Sequence, residues 1–316
     1  MRQAETIARQ LKLRQLRILV EVGQRGSMVK AGEHLGISQP VVSKAIADLE
    51  HALGVRLLDR FPQGVEPTLY GRALIKRSAA VFDDLRTSVS EIESLSDPLA
   101  GELRIGAHEG TSAGLLPVIV GRLGQSHPRI TFDIVLADPP TLKERDLRGR
   151  RVDLVISNVT AELAITEDEF ETTVLQPSPQ HLVAAHNSRW ASRKTIDFAD
   201  LAKERWCLPL AGHPIRVALT EAFRAKGLPP PEAAVAVASP QIIAALVLQF
   251  GYLGVMGDIV LKTSPLGAQL KRLPIRLPVH DNLRVGIVTL RNRTLSPVAQ
   301  LFIETARKVI ADLAKT

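Results

Sequence analysis

Two short amphipathic segments separated by a single glycine constrain this chain more than any other feature of its sequence. Residues 28–35 have the spacing of a helix, which Ser27 can cap and Gly36 can end with a tight turn. A second helix is predicted from Ser38 to Leu53, with Ser38 as a possible cap and a proline near its first turn, where a missing N–H matters little. The sequence therefore predicts two short helices that meet at a sharp turn.

The second of these helices has two distinct faces when it is drawn at about 100° per residue. Its apolar face, which can pack on the preceding helices, consists of Val42, Ala45, Ile46, Leu49 and Leu53. A separate face near the N-terminus carries Gln39, Pro40, Ser43 and Lys44, as a helix end entering a major groove requires. Gln39 can bond twice to an adenine edge, Ser43 can donate or accept, and Lys44 can reach guanine or phosphate. The alternative is an ordinary solvated surface helix.

A long helix is predicted over residues 68–97. Its apolar and small residues alternate at four-three spacing, which is the pattern of a coiled-coil seam. The seam consists of Leu74, Ser78, Val81, Leu85, Ser88, Ile92 and Leu95. We interpret it as a dimer contact that ends at Pro98, and the alternative is a single helix packed on its own domain.

Residues 101–316 alternate between short apolar strands and helical patterns. The predicted strands are Leu103–Ile105, Phe132–Leu136, Leu154–Ile156 and Leu182–Ala185. The helical patterns lie near 114–125, 141–148, 216–226 and 240–249. This alternation favours α/β layers around a mainly parallel sheet.

Composition narrows the class of protein. The chain has 316 residues, 45% of them hydrophobic, and a net charge of +7, which allows a polyanionic partner. Between residues 12 and 77, eleven Lys and Arg stand against six Asp and Glu. The single cysteine, Cys207, excludes an internal disulfide, and its apolar neighbours favour a buried structural thiol over a reactive one. With no signal-peptide core and no apolar stretch long enough to span a bilayer, we expect a cytoplasmic protein without membrane contact.

The N-terminal motifs are closely spaced and specific. They are Leu13-x-x-Leu16, Gly26-Ser27, Leu35-x-Ile37-Ser38-Gln39-Pro40-x-Val42-Ser43-Lys44-x-Ile46, Leu49-Glu50-x-x-Leu53-Gly54-x-x-Leu57-Leu58-x-Arg60 and Pro67-Thr68-x-x-Gly71. Over about 60 residues they resemble the LysR-type transcriptional regulators. The resemblance implies a winged helix-turn-helix in which Arg60 lies on the wing and Thr68 opens the linker helix. The predicted DNA contacts are Ser38, Gln39, Pro40, Ser43, Lys44, Arg60 and Thr68.

The resemblance continues more loosely through the rest of the chain. Its motifs are Gly101-Glu102-Leu103-Arg104-Ile105-Gly106, Leu115-Leu116-Pro117, Val152-Asp153-Leu154-Val155-Ile156 and Gly251-x-x-Gly254-Val255. It implies an α+β protein whose C-terminal domain has two α/β lobes like those of periplasmic binding proteins, with an effector between them. The expected domains are 1–68 for DNA binding, 69–98 for the linker and 99–316 for the effector. Within the last, the first lobe is expected at about 99–160 and 267–316, and the second at about 161–266.

Effector contacts are expected in loops beyond the carboxyl ends of strands, where parallel sheets bind ligands. These loops are Ala107–Ser112, Asp138–Thr141, Ser157–Asn158, Pro177–Gln180, Gly212–Arg216 and Ser239–Gln241. The selected residues are His108, Glu109, Thr111, Ser112, Thr141, Asn158, Ser178 and Pro240. A carboxylate at Glu109 would occupy the position that an anionic ligand favours, so a polyol, a sugar-like molecule or a cation is expected rather than a dicarboxylate. Alternatively, Glu109 points to solvent or caps the helix.

The sequence disfavours two other classes of protein. An enzyme is disfavoured because neither a nucleophile elbow, nor a His-Glu-x-x-His zinc motif, nor a glycine-rich phosphate loop is expected. A solute-binding protein for transport is disfavoured by the N-terminal helix-turn-helix. No cofactor or metal is expected, and His108 is interpreted as a hydrogen-bonding residue. The expected partners are an interrupted palindromic DNA operator, a small effector, RNA polymerase and further copies of the chain, as a homodimer or homotetramer.

Overall fold

The computed structural model describes residues 11–96, 100–160, 168–277 and 283–313. It divides into two compact units, Met1–Val89 and Ser90–Thr316. Within the described residues, no helix is both long and apolar enough to cross a membrane.

The first unit contains three short helices, a two-stranded hairpin and the start of a long helix. Its elements are α1 (Leu13–Arg25), α2 (Met28–Leu35), α3 (Gln39–Leu53), β1 (Leu58–Phe61), β2 (Gly64–Pro67) and α4 (Leu69–Ser96). Gly36 ends α2 at a φ of 63°, a left-handed conformation that favours glycine. The Ser27 side chain accepts from the Lys30 N–H at 3.4 Å, which confirms the predicted cap. Ser38 occupies the N-cap position of α3 but makes no capping hydrogen bond, so that part of the prediction was wrong.

The apolar face predicted for α3 is buried. Val42, Ile46 and Leu49 are inaccessible to solvent and pack in one core with residues of α1 and with Leu57. The β1–β2 hairpin is the wing that the family resemblance implied, although the residue pattern alone indicated only helices over 12–70. Glu50 Oε1 accepts from the Leu57 N–H at 2.8 Å and so fastens α3 to the base of the wing.

The long helix α4 begins at a confirmed cap, because Thr68 Oγ1 accepts from the Gly71 N–H at 3.0 Å. Its first turns pack on their own domain: Leu74 contacts the core of the first unit, and Ser78 is buried. The predicted seam is therefore wrong at its N-terminal end, where an intramolecular partner exists. Farther along, Val81 and Leu85 are 42% and 46% exposed, so this part of the stripe stays uncovered.

The second unit is built on two five-stranded sheets. Its strands are β3 (Ala100–Ala107), β4 (Arg129–Leu136), β5 (Leu154–Thr160), β6 (Phe170–Pro177), β7 (Gln180–Ala185), β8 (Trp206–Leu208), β9 (Ala233–Ala236), β10 (Leu253–Gly257), β11 (Leu270–Arg272) and β12 (Leu283–Leu290). Its α-helices are α5 (Glu109–Ser126), α6 (Pro139–Thr141), α7 (Phe198–Leu201), α8 (Pro214–Ala225), α9 (Pro240–Phe250), α10 (Asp258–Thr263) and α11 (Pro297–Leu313). A π-helix, Leu142–Leu147, continues α6, and a 3-10 turn, Gly267–Gln269, precedes β11.

The first sheet has the strand order β4-β3-β5-β12-β6, and the second has the order β11-β7-β10-β8-β9. We call each sheet with its helices the first and the second lobe. In the first sheet β3 runs parallel to β4 and β5, whereas β12 runs antiparallel to β5 and β6. The second sheet is mixed in the same way. The prediction of a mainly parallel sheet was therefore wrong for the described strands, because β12 in the first sheet and β7 in the second run antiparallel to both of their neighbours.

The predicted lobe limits also need correction. Residues 170–177 form β6, an edge strand that pairs with β12 of the first sheet, so the first lobe extends well past 160. Residues 270–272 form β11, which pairs with β7 of the second sheet, so the chain has not returned by 267. Both differences have one cause. The lobe to which an edge strand belongs depends on the strand it pairs with, and the local apolar pattern does not reveal that partner.

One apolar core runs through both lobes. It joins Leu103 and Ile105 of the first sheet, through the helices between the sheets, to Val183 of the second sheet. Cys207 belongs to the same core and is fully buried, as predicted, and burial raises the pKa of its thiol. Gly114 of α5 lies so close to α10 that a Cβ there would be 2.8 Å from the Ile259 carbonyl oxygen. The two lobes are thus packed together at α5 and α10.

Asp153 joins the strands of the first lobe through two arginines. It accepts from the backbone N–H of Arg104 at 2.8 Å, from the Arg104 guanidinium, and from Arg293, whose side chain is 4% exposed. Burial raises the pKa of Asp153, but the hydrogen bonds and charges of the two arginines outweigh this, and the net shift is downward. The carboxylate is therefore ionised in the folded protein at neutral pH.

Asp258 fastens α10 to the second sheet and makes the stability of that lobe depend on pH. The hydrogen bond from His181, together with the charges of Arg272 and Lys262, lowers the pKa of Asp258 to about 2. Because this pKa lies below the ordinary value of 3.8, the stabilisation is complete above about pH 4 and is lost as the pH falls through 2.

We expect Asp258→Asn to lower the free energy of unfolding by about 2 kcal/mol at pH 7, since one pKa unit corresponds to about 1.4 kcal/mol. The difference in free energy of unfolding between this variant and the wild type should disappear as the pH approaches 2. Urea unfolding at a series of pH values measures it. Asp312→Asn, which removes an exposed ion pair with Arg122, is the control and should change stability by less than about 1 kcal/mol. A gap that is the same at pH 7 and pH 2.5 would contradict the assignment.

Candidate DNA-reading helix and inter-lobe cleft

The N-terminal end of α3 presents the side chains that the sequence selected for base contacts. Ser38, Gln39, Pro40 and Lys44 are exposed, and Ser43 is half-buried. Because helix α3 buries its opposite face in the core of the first unit, its free N-terminal turn can enter a major groove as a rigid element. Its free N–H groups and the local helix dipole also favour a nearby phosphate.

The wing and the start of α4 place the other two predicted DNA contacts. Arg60 lies in β1, is exposed and pairs in register with Val65 of β2, so its guanidinium is carried by a fixed hairpin. Thr68 is half-buried, and its hydroxyl donates to the Arg56 carbonyl oxygen at 2.8 Å besides capping α4. The hydroxyl of Thr68 is therefore engaged within the fold.

A small cavity lies between the two lobes, at the ends of the strands where ligands are expected. Its volume is about 30 Å³. It is lined by His108, Gly110, Asn158, Gln180, Pro209, His213, Ile215, Ala238, Pro240, Ile243, Val255 and Met256. A buried water molecule needs a cavity of about 10–15 Å³, so this cavity has room for water but not for an organic molecule. A ligand of that kind must move the walls apart.

Two described residues that line this cavity have buried polar atoms without a hydrogen-bond partner. His108 Nδ1 and Asn158 Oδ1 are buried and have no hydrogen-bond partner. Buried polar atoms nearly always have one, so each of these atoms needs an explanation. Gln180, which is 4% exposed, donates to the Ser178 carbonyl oxygen at 2.9 Å and is thereby held at the cavity wall.

Two histidines from different lobes approach each other at the cavity. Burial lowers the pKa of His108, although Glu109 and Asp138 act in the opposite direction. Burial also lowers the pKa of His213, and the charge of His108 lowers it further. Both rings are therefore neutral at pH 7, and the cavity presents neutral donors and acceptors. Among the described residues, no group of three or more His, Cys, Asp or Glu could hold a metal ion.

The structure brings three of the eight predicted effector residues to the cavity, namely His108, Asn158 and Pro240. The other five lie elsewhere in the second unit. Thr111 is buried with an unpartnered hydroxyl, and Thr141 bonds through its N–H to Asp138. The Ser178 carbonyl oxygen accepts a hydrogen bond from the Gln180 side chain.

Glu109 lies in the first turn of α5, at the helix N-terminus, and it neither caps the helix nor points freely to solvent. Its Oε1 accepts from the Ser239 hydroxyl at 2.6 Å, so the side chain links the start of α5 to the turn before α9. Glu109 thus makes a direct contact between the lobes beside the cavity.

Sequence reasoning missed most of the second-lobe wall. Gln180 and His213 lie in loops that had been selected, but their polarity alone did not distinguish them from their neighbours. Ile243, Val255 and Met256 gave no signal at all, because in sequence they are ordinary core residues. Only the meeting of α9 and β10 with the first lobe makes them part of a site.

Contrary to expectation, the pattern Gly-x-Ser-x-Gly does occur, at residues 110–114. A nucleophile elbow would expose its serine at a sharp turn between strand and helix. Here Ser112 is 4% exposed inside α5, and its hydroxyl donates to the His108 carbonyl oxygen at 2.8 Å. Because the Ser112 hydroxyl is bonded within the helix, the Gly-x-Ser-x-Gly pattern does not form a catalytic elbow here.

A winged helix-turn-helix followed by two α/β lobes around a cavity defines a DNA-binding transcription regulator with an effector-binding domain. Two family models agree with this class. Residues 13–72 match the model described as "Bacterial regulatory helix-turn-helix protein, lysR family", and residues 96–311 match "LysR substrate binding domain". The chain therefore belongs to the LysR family of transcriptional regulators.

Individual relatives and solved structures agree. The HTH-type transcriptional regulator GbpR of Azospirillum brasilense is 27% identical over 94% of this chain and 86% of its own length. The SDS degradation transcriptional activation protein of a Pseudomonas strain is 32% identical over 67% of each chain.

Among solved structures, full-length OxyR from Pseudomonas aeruginosa has a TM-score of 0.66 at 22% identity and covers 95% of this chain and 97% of its own. CbnR in complex with its target DNA has a TM-score of 0.63 at 20% identity, over 94% and 99% of the two chains. At these identities the two structures support the fold.

Proposed function

We propose that the exposed end of α3 reads bases in the major groove while the wing contacts the DNA backbone or minor groove. Gln39, Ser43 and Lys44 supply the base contacts, and Ser38 and Pro40 lie against the sugar-phosphate chain. Arg60 supplies a contact that does not depend on sequence. The observation that carries this assignment is the exposure of these side chains on a helix whose other face is buried.

The second part of the proposal is a homodimer formed through α4. The uncovered stripe includes Val81 and Leu85, and Val89 next to it is 54% exposed. Burying each large apolar side chain contributes about 1.5–3 kcal/mol. A two-fold dimer sets its two recognition helices one turn of DNA, or a multiple of it, apart. The operator is therefore an interrupted palindrome. Further pairing to a tetramer and a contact with RNA polymerase complete the proposal.

We expect Leu85→Lys to weaken dimerisation at least tenfold, since a two-fold contact loses the apolar group twice and gains two opposed charges. Analytical ultracentrifugation over a range of protein concentrations measures it. Asp84→Lys, one residue away on the same exposed turn, introduces the same side chain outside the stripe and should leave the dimer intact. A dimer that is equally stable in both variants would show that the stripe is not the interface.

The cavity between the lobes is proposed to bind the effector that switches DNA binding. What supports this is that two residues lining the cavity, His108 and Asn158, each have a buried polar atom without a hydrogen-bond partner, Nδ1 and Oδ1 respectively. Because both histidines are neutral at pH 7 and the Glu109 carboxylate lies beside them, the favoured effector is uncharged and bears hydroxyl or carbonyl groups. A polyol or a sugar-like molecule fits this description better than a dicarboxylate.

The effector also has to separate the walls, since the cavity of about 30 Å³ is far smaller than such a molecule. It can shift the lobes only by as much as its affinities for the two arrangements differ. We therefore expect the effector to stabilise a wider cleft, in which the Glu109–Ser239 hydrogen bond is broken.

A thermal-shift screen of polyols, sugars and small dicarboxylates tests this, followed by titration calorimetry. We expect a neutral polar compound to bind, and the variants Asn158→Ala and His213→Ala each to weaken it about tenfold, as the loss of a buried hydrogen bond to a ligand does. Ser188→Ala is the control, because like Asn158→Ala it removes a buried polar atom without a partner, but Ser188 does not line the cavity. Tight dicarboxylate binding that Glu109→Ala leaves unchanged would contradict the proposed effector class.

A further inference from the structure

A second and larger cavity lies wholly within the first lobe. It has a volume of about 250 Å³ and lies between the helical segment 139–147 and one face of the first sheet. Among the described residues, the two cavities share Asn158 alone. An apolar protein cavity of about 150 Å³ is enough to bind benzene, so this one has room for a small organic molecule.

The floor of this cavity is a flat row of strand residues. Val288 of β12 pairs with Val155 of β5 on one side and with Thr172 of β6 on the other, so the three lie side by side. The next residue on the same face of β12 is Gly286, which adds no side chain and pairs with Ser157. A Cβ at Gly286 would lie 2.9 Å from Cγ2 of Val159, so the Val159 side chain covers the floor at this point.

The roof is formed by the helical segment. Pro139, Pro140 and Leu147 cover the floor with apolar atoms. The segment 142–147 is a π-helix, a rare form that is found at functional sites more often than by chance. Phe170 closes one end, with the Lys143 ammonium 4.7 Å from the centre of its ring.

Four described charged residues near the opening form pairs of opposite sign. Lys143 and Arg148 are matched by Glu144 and Glu169, with Arg148 bonded to both carboxylates. These four residues together carry no net charge. The walls offer the hydroxyl groups of Ser157 and Thr172 and the amide of Asn158, and apart from Lys143 and Glu144 the other lining residues are apolar.

From this combination we infer that the cavity is a second ligand site. It takes a compact, uncharged ring compound that carries at most one hydroxyl or carbonyl group. The ring lies on Val155, Val159 and Val288, and the polar group meets Thr172 or Ser157. The inference does not depend on the inter-lobe cavity binding an effector.

The test uses the full-length protein and benzyl alcohol, observed by saturation-transfer NMR with titration up to about 10 mM. We expect saturable binding that Thr172→Phe, which fills the cavity, abolishes. Val174→Phe is the matched control: it adds the same ring two residues along the same strand, at an exposed position outside the cavity, and should bind as the wild type does. Benzoate, of nearly the same shape but charged, should bind at least tenfold more weakly.

Each opposite result overturns the inference. Absence of saturable binding, retention of binding in Thr172→Phe, or equal loss in both phenylalanine variants would exclude a site in this cavity. Equal or tighter binding of benzoate would exclude the uncharged class. If Thr172→Phe does not fold, as circular dichroism would show, Leu147→Ala decides instead. It enlarges the cavity and should favour 2-naphthylmethanol over benzyl alcohol relative to the wild type, and an unchanged preference contradicts the site.

Discussion

The double variant Gln39→Ala, Ser43→Ala is expected to lose at least about a hundredfold in affinity for its operator. Each good pair of hydrogen bonds to a base contributes about 1–3 kcal/mol of discrimination, and about 1.4 kcal/mol is a factor of ten. Both side chains lie on the free end of α3, outside the core, so the fold should be unaffected. A gel shift at about 0.15 M salt with excess competitor DNA measures the loss.

Two controls separate reading of sequence from general attraction to DNA. Asp48→Ala with His51→Ala alters exposed residues of the same helix away from its N-terminus and should leave the shift in place. Arg60→Ala should weaken binding to matched and scrambled sites alike and reduce the salt dependence. If the double variant lost affinity equally for matched and scrambled DNA, α3 would not be the reading element.

We expect Asp153→Asn to destabilise the second unit by about 3–5 kcal/mol, the range found when one partner of a buried ion pair is removed. The change leaves Arg104 and Arg293 without their carboxylate, and both side chains are largely buried. Urea or thermal unfolding measures it. Asp133→Asn on β4, an exposed aspartate that pairs in register with Arg104, is the control.

The sign of the pH dependence provides a second check on Asp153. Its lowered pKa means that the stabilisation is present above about pH 4 and is lost on further acidification. Asp153→Asn should therefore differ most from the wild type near neutral pH and least in acid. A loss of under about 1 kcal/mol at pH 7 would show that the arginines are hydrated without the carboxylate.

Elements with a long, regular apolar period could be predicted from the sequence. Helices α3, α5, α8 and α9 lie where their patterns placed them, and so do the strand cores of β3 and β5. The wing strands escaped the residue pattern because each has only four residues, too few to show a period. Strand β10 escaped because its apolar residues follow directly on those of α9.

The candidate sites also differ in how far they could be predicted from the sequence. The exposed N-terminal face of α3, which is proposed to read DNA, could be predicted because one helix contains all of it. The inter-lobe cavity could be predicted only as a set of loops, since His108 and His213 meet through the packing of two lobes rather than through any local pattern. Gly-x-Ser-x-Gly at 110–114 shows the converse, because a local pattern there has no catalytic geometry behind it.

The two-lobe core has a consequence for how this regulator can acquire a new signal. Ile243 and Met256 line the cavity but also belong to the core that holds the sheets together, so exchanging them disturbs the whole domain. Gln180 and His213 line it from the ends of strand and helix, outside that core. Under the proposed function, substitutions that change the effector are therefore expected in the polar wall, because the apolar wall is constrained by the core.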